Sequence, residues 1–122
     1  MGLNLTLLPL QGPKDLQRTK VLCRNRLSFD TDYEVFLQIN GFDGKTKPTI
    51  KVNPIPAALW VETYEEEGIR KRRTDKLGAE ITFVYAEDLK GLHTFNSSPL
   101  NKAINAFVWM LPNDTPILLL WE

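Results

Sequence analysis

Polar and apolar positions alternate with a period of two at the start of this chain, where Leu3, Leu5 and Leu7 are separated by Asn4 and Thr6. That is the pattern of a half-buried strand, and Pro9 ends it or places it at a sheet edge. Gln11-Gly12-Pro13 reads as a loop. Val21, Cys23 and Leu27 then favour a strand over Lys20–Arg24, with room for a helical turn before it. Tyr33, Val35, Leu37 and Ile39 alternate with Glu34, Gln38 and Asn40, interrupted only by Phe36, and predict another strand. Gly41-Phe42-Asp43-Gly44 is turn chemistry, and Ile50 and Val52 predict a short strand. Pro54 and Pro56 confine the next segment to an edge or an extended crossover. Ala58–Tyr64 and Ile69–Thr74 predict the arms of a hairpin around Glu66-Glu67-Gly68. Ile81, Phe83 and Tyr85 line one face of a strong strand, and Ala86–Lys90 predicts a helical turn.

The helical period appears late. Ser97 or Ser98 can cap a helix, and Pro99 suits its first turn, where a missing N–H costs nothing. Leu100, Ala103, Ile104, Phe107, Val108 and Leu111 recur at helical spacing and predict the buried stripe of a helix over about 98–111. At 3.6 residues per turn, Trp109 falls on the other side with Asn101 and Asn105, beside Lys102 and flanked by Ala106 and Met110. A tryptophan there is either covered, for example by Gln11–Gln17, or offered to a partner. Pro112 and Asn113-Asp114 stop the helix. Ile117-Leu118-Leu119-Leu120-Trp121 is apolar without alternation, so a final strand over about 116–121 must be buried on both faces. The expected fold is therefore α+β: one domain over 1–122, a largely antiparallel sheet, and one main helix packed on one face.

Composition narrows the chemistry. The 122 residues are 43% hydrophobic and 25% charged, as in soluble globular proteins. A domain of this length buries about two-thirds of its unfolded surface. Fifteen basic and fifteen acidic residues cancel, so any electrostatic function must be local. A single cysteine, Cys23, excludes an internal disulfide framework. No apolar run approaches the about 18 residues of a membrane span, and the start lacks a signal-peptide pattern, so a cytoplasmic location is expected. Met1-Gly2 with Thr6 nominally fits an N-myristoylation template, but the strand-like alternation speaks against it. The N-x-Ser/Thr sequons at Asn4, Asn96 and Asn113 have no meaning without secretion.

Cofactor and metal chemistry is not expected. A zinc site needs three or four Cys, His or carboxylate ligands, and Cys23 and His93 stand alone among the preferred ones. Asp30-Thr31-Asp32 runs into apolar Tyr33, Val35 and Phe36 rather than a calcium loop. Gly41-Phe42-Asp43-Gly44-Lys45-Thr46 has the wrong spacing for a phosphate loop, and Pro48 stands where a helix should start. Cys23 with His93 is the one conceivable nucleophile pair, and nothing around Cys23 supplies an activating elbow.

The sharpest charged feature is Glu65-Glu66-Glu67-Gly68 followed by Arg70-Lys71-Arg72-Arg73. A two-residue turn at Glu67-Gly68 would set Glu65 against Arg70, Tyr64 against Lys71 and Glu62 against Arg73, a hairpin that neutralises itself. The alternative leaves Arg70, Lys71, Arg72 and Arg73 free for phosphates, with Tyr64 and Trp60 as stacking neighbours. The expected function is that of a small non-enzymatic interaction protein. It binds another macromolecule, or itself as a homodimer, through the Trp109 face (with Ala106, Met110, Asn105 and Lys102), the charged hairpin, or both. A nucleic-acid module built on residues 70–73 is the alternative, and a Cys- or carboxylate-dependent enzyme stands third.

Overall fold

The computed structural model describes residues 2–122, so Met1 of the lipidation template lies outside the described residues. The final strand organises everything else. β8 (Pro116–Trp121) is buried along its whole length. It lies between β1 (Leu5–Pro9) and β7 (Thr82–Tyr85), antiparallel to both, with Leu7 opposite Leu119 and Phe83 opposite Leu118. β3 (Leu27–Phe29) and β4 (Asn53–Pro54) complete a five-stranded antiparallel sheet in the order β3-β1-β8-β7-β4.

Successive residues of β8 serve opposite faces, as the strand period requires. Ile117, Leu119 and Trp121 join a core with Leu5, Leu7, Val84 and the helices. Leu118 and Leu120 join a second core with Leu8, Phe83 and a three-stranded sheet. That second sheet has the order β2-β5-β6, from β2 (Lys20–Cys23), β5 (Trp60–Glu65) and β6 (Gly68–Arg72). β2 runs parallel to β5, and β6 antiparallel. The molecule is therefore layered: helices, five strands, three strands. The α+β class and the buried final strand agree with the sequence pattern.

Three helices cover the first core: α1 (Tyr33–Ile39), α2 (Ala86–Leu89) and α3 (Pro99–Trp109). The first corrects the expected strand over Tyr33–Ile39. The Asp32 carboxylate accepts the Val35 N–H at 3.2 Å as an N-cap, and the buried residues are Val35, Phe36 and Ile39. That spacing is helical, so Phe36, the apparent interruption, was the informative position. Ile50 and Val52 also differ from expectation. The Thr49 and Ile50 N–H groups bond to the Gln38 carbonyl oxygen, and the ladder with β7 is confined to Asn53–Pro54. Pro54 occupies an edge strand, where its missing donor leaves no ladder bond unmade.

Candidate functional site

The α3 helix is capped as its sequence predicts, with the Ser98 hydroxyl accepting the Asn101 N–H at 3.2 Å and Pro99 in the first turn. Its rotation is not as predicted. The buried residues are Asn101, Ile104 and Val108, whereas Leu100 and Phe107 remain 49% and 44% exposed. Asn101 sets this phase. Its side-chain oxygen accepts the Asp30 N–H at 2.9 Å, and its amide nitrogen donates to the Asp30 carbonyl at 3.1 Å and to Asp32 Oδ2 at 3.2 Å. Ser97 adds a 2.6 Å bond from its hydroxyl to the same Asp32 oxygen. A buried amide with its hydrogen bonds made outweighs the preference of two apolar side chains for the interior.

The outward arc of α3 is consequently apolar. Trp109 is 57% exposed and Met110, at the helix end, 84%. Among the described residues no loop covers the indole, and Lys90 Nζ lies 5.8 Å from the ring centroid. That amine is held by the Leu111 carbonyl and Asn113 Oδ1, at 2.9 and 2.7 Å. Ala106 and Lys102 are exposed on the same side, and Asn105 is half-buried with an unpartnered amide oxygen. Leu100, Ala103 and Phe107 belong to the exposed arc although their spacing marked them as core. Only the bonding demand of Asn101 separates the two readings. Lys102 is the single charged residue of α3.

The charged hairpin forms, with its turn one position earlier than expected, at Glu66-Glu67. Glu65 pairs with Gly68, Tyr64 with Ile69, Thr63 with Arg70, Glu62 with Lys71 and Val61 with Arg72. Gly68 takes a φ of +118°, a conformation that side chains other than glycine resist. The expected cross-strand pairs of Glu65 with Arg70, Tyr64 with Lys71 and Glu62 with Arg73 are therefore not those formed. Arg72 points inward and bonds Glu65 at 2.8 Å, while Arg73 donates to the carbonyls of Pro56 and Leu59. Burial works to raise the Glu65 carboxyl, but the Thr63 hydroxyl and the Arg72 charge outweigh it and hold the group below its ordinary value. Two of the four basic residues thus serve the fold.

Arg70 and Lys71 are exposed and have no carboxylate within salt-bridge distance among the described residues. Lys71 Nζ lies over the Trp60 ring, 5.2 Å from its centroid. Trp60 and Tyr64 share the outer face of β5 with Ile69 and Lys71 of β6, at 40%, 48% and 54% exposure for the three large apolar residues. Beside the turn an open groove of about 650 Å³ runs past Glu65, Glu66, Ile69 and Arg70.

The remaining candidates are not assembled into a site. Cys23 is buried between the two sheets, and burial first, with Asp15 adding to it, pushes its thiol up to about 12. His93 is exposed in a loop tied to Gln38 of α1, on the opposite side of the five-stranded sheet, and stacks on Phe95. In the Gly41–Thr46 loop, the N–H groups of Thr46 and Lys45 both donate to Asp43 at 2.9 Å, lowering its carboxyl, so they are turned away from any anion. Among the described residues no group of three or more His, Cys, Asp or Glu side chains is placed to hold a metal ion. No helix is long and apolar enough to cross a membrane. No family model, curated protein or solved structure matches this chain.

Proposed function

We propose that this is a non-enzymatic interaction protein of the cytoplasm that docks a macromolecular partner on the outward arc of α3. The observation that carries the reading is the arc itself: Leu100, Phe107, Trp109 and Met110 lie exposed on the half of α3 turned away from the core, Leu100 and Trp109 at its two edges, with two alanines and Lys102 between them. Contiguous apolar surface of this kind marks interaction sites in folded proteins, and Trp, Phe and Met are enriched at interface centres. The test compares native complexes of the wild-type protein with those of a Trp109→Ala, Met110→Ala double variant. A complex lost in the variant while its melting temperature holds supports the reading. A complex that survives, or a variant that unfolds, overturns it.

A second reading has its own support in the outer face of the three-stranded sheet. There Trp60 and Tyr64 lie beside Lys71, which stands directly across from Glu62, while Arg70 pairs with Thr63 on the other face of the strand. Aromatic faces beside cations suit single-stranded nucleic acid, although Glu65, Glu66 and Glu67 repel a polyanion. Fluorescence anisotropy with a labelled oligonucleotide at rising salt tests it. Binding that weakens steeply with salt and is lost in Arg70→Glu, Lys71→Glu would favour this face over α3.

A further inference from the structure

We propose that the cavity between the end of α1 and the Asp75–Ala79 loop binds a small organic ammonium ion, a protonated amine carried on a short apolar body. The cavity shares no residue with α3, so the proposal does not depend on the reading of that helix as a docking face. It measures about 280 Å³ and lies on the helix-covered side of the five-stranded sheet. Leu119 and Trp121 of β8 form its floor together with Ile39 and Val52, all of them in the first core or packed against it. The Phe36 ring meets the Trp121 indole edge-on at 5.4 Å and holds it in place. On the α1 side the wall is equally fixed, because Gly41 sits where a Cβ would come 2.5 Å from the Thr46 carbonyl oxygen.

The rim carries charge of one sign. Asp75 and Glu80 line it, and no basic side chain does. Neither carboxylate makes a salt bridge among the described residues. Asp75 is the informative group, because it is only 5% exposed. Its Oδ1 accepts the N–H groups of Leu77 and Ala79 at 2.9 and 3.0 Å, and its own N–H donates to the Ala79 carbonyl at 2.8 Å. The Lys76 N–H ties the loop to the Trp121 carbonyl at 3.3 Å. The carboxylate is thus held in one orientation, yet Oδ2 accepts no hydrogen bond among the described residues and is not sealed from the cavity. An ionised oxygen withdrawn from bulk water without a donor is costly, and a ligand that supplies one relieves the penalty.

Charge, floor and size select the ligand. Two carboxylates beside an apolar floor call for a cation with an apolar body. A hard metal ion suits the cavity poorly, since it takes about six or more oxygen ligands and gains nothing from Leu119 or Trp121. An ammonium has three N–H donors, enough for Asp75 Oδ2, Glu80 and one of the uncharged polar residues Asn40 and Thr82 that also line the cavity. The volume is at the small end of ligand cavities and limits the body to a few carbons. Because the Asp75 carboxylate and the indole are both fixed before binding, little ordering is left for the ligand to impose.

The probe is n-pentylammonium, titrated into the full chain and followed by the NMR signals of the Trp121 indole N–H and the Leu119 methyl groups. Saturable shifts with a dissociation constant on the order of 1 mM are expected for so small a ligand. The alcohol n-pentanol, the same body without the charge, should bind at least about tenfold more weakly. Asp75→Asn keeps Oδ1 for the two loop N–H groups and removes the charge, so it should weaken the amine by at least about tenfold and leave the rest of the spectrum unchanged. Glu80→Gln, on the exposed rim, should weaken it by about threefold. No saturable shift, pentanol binding as tightly as the amine, or affinity indifferent to both substitutions each overturns the proposal. Magnesium alone giving the same shifts at lower concentration also overturns it, because the site would then take an inorganic cation. Tighter binding of Nα-acetyl-lysine methylamide than of the free amine would assign the cavity to a lysine side chain of a partner, and the small-molecule proposal falls. If Asp75→Asn does not fold, Glu80→Gln and the pentanol comparison decide.

Discussion

β8 and α3 are both rich in large apolar side chains, yet the molecule uses them in opposite ways. Every residue of β8 is buried, because the strand lies at the centre of one sheet and between two cores. Only three of the eleven residues of α3 are buried, and one of those is an asparagine. The difference does not lie in hydrophobicity. A central strand has a neighbouring layer on each side to receive its side chains, whereas an outer helix has one, and its rotation decides which apolar residues are left in water. The contrast can be broken from either end.

The largest expected effect is in the strand. Leu118→Ala and Leu119→Ala remove fully buried side chains from the two different cores and should each cost about 2–5 kcal/mol, read from denaturant unfolding. Since a domain of this kind has only about 5–15 kcal/mol in total, the double variant should fail to fold. A cost under about 1 kcal/mol for either would mean that its core is not a sealed layer.

Next comes the residue that fixes the helix phase. Asn101→Ala deletes the bonds to Asp30 and Asp32 and leaves the Asp30 N–H without its acceptor. The expected cost is about 1–3 kcal/mol, large for a polar residue on a helix. Asn101→Leu sharpens the comparison. If the amide does set the rotation, this apolar substitute should also be destabilising, with Leu100 and Phe107 becoming less exposed to quenchers or labels.

A smaller effect belongs to the hairpin. Because the Glu65 carboxyl is held below its ordinary value of 4.5, its stabilising contribution is complete above that pH. It is lost as pH falls through the lower folded value, since the unfolded chain takes up the proton first. Glu65→Gln should flatten that part of the acid limb of stability, by on the order of 1 kcal/mol. An unchanged acid limb would mean that the Arg72 contact contributes nothing to the fold.

The sequence was most legible where one period dominated and one face had one fate. The face of Ile81, Phe83 and Tyr85, the Ser98 cap and the doubly buried β8 all correspond to elements of the structure, and the alternation of Leu3–Leu7 marked β1 as a strand but not as half-buried, since Thr6 and Leu8 are buried on its other face. Tyr33–Ile39 misled because seven residues satisfy both periods, and the deciding feature was the Asp32 cap rather than the alternation. The second sheet was hidden because a parallel partner for β5, distant in sequence, leaves no turn signature. In the candidate site, Trp109 and Met110 were visible as misplaced apolar residues. Leu100, Ala103 and Phe107 were not, because an asparagine at the centre of a buried face has no signature in a hydrophobic pattern.

The smallest expected effect is the one that separates the two regions most sharply. Trp109 is larger than any residue deleted from β8, and on area alone its loss would be the most damaging of all. Its exposed ring, however, contributes only what remains between indole and water, together with the neighbouring Lys90. That amine is already held by two other oxygens and does not depend on the ring. Trp109→Ala should therefore change the stability of the monomer by no more than about 0.5 kcal/mol when melted at low micromolar concentration. With the docking partner present the same variant should melt earlier than wild type, because only the wild-type face is then occupied. A variant that loses several kcal/mol at low concentration would place Trp109 in the core with β8. One that matches wild type with and without the partner would make the apolar arc an inert surface.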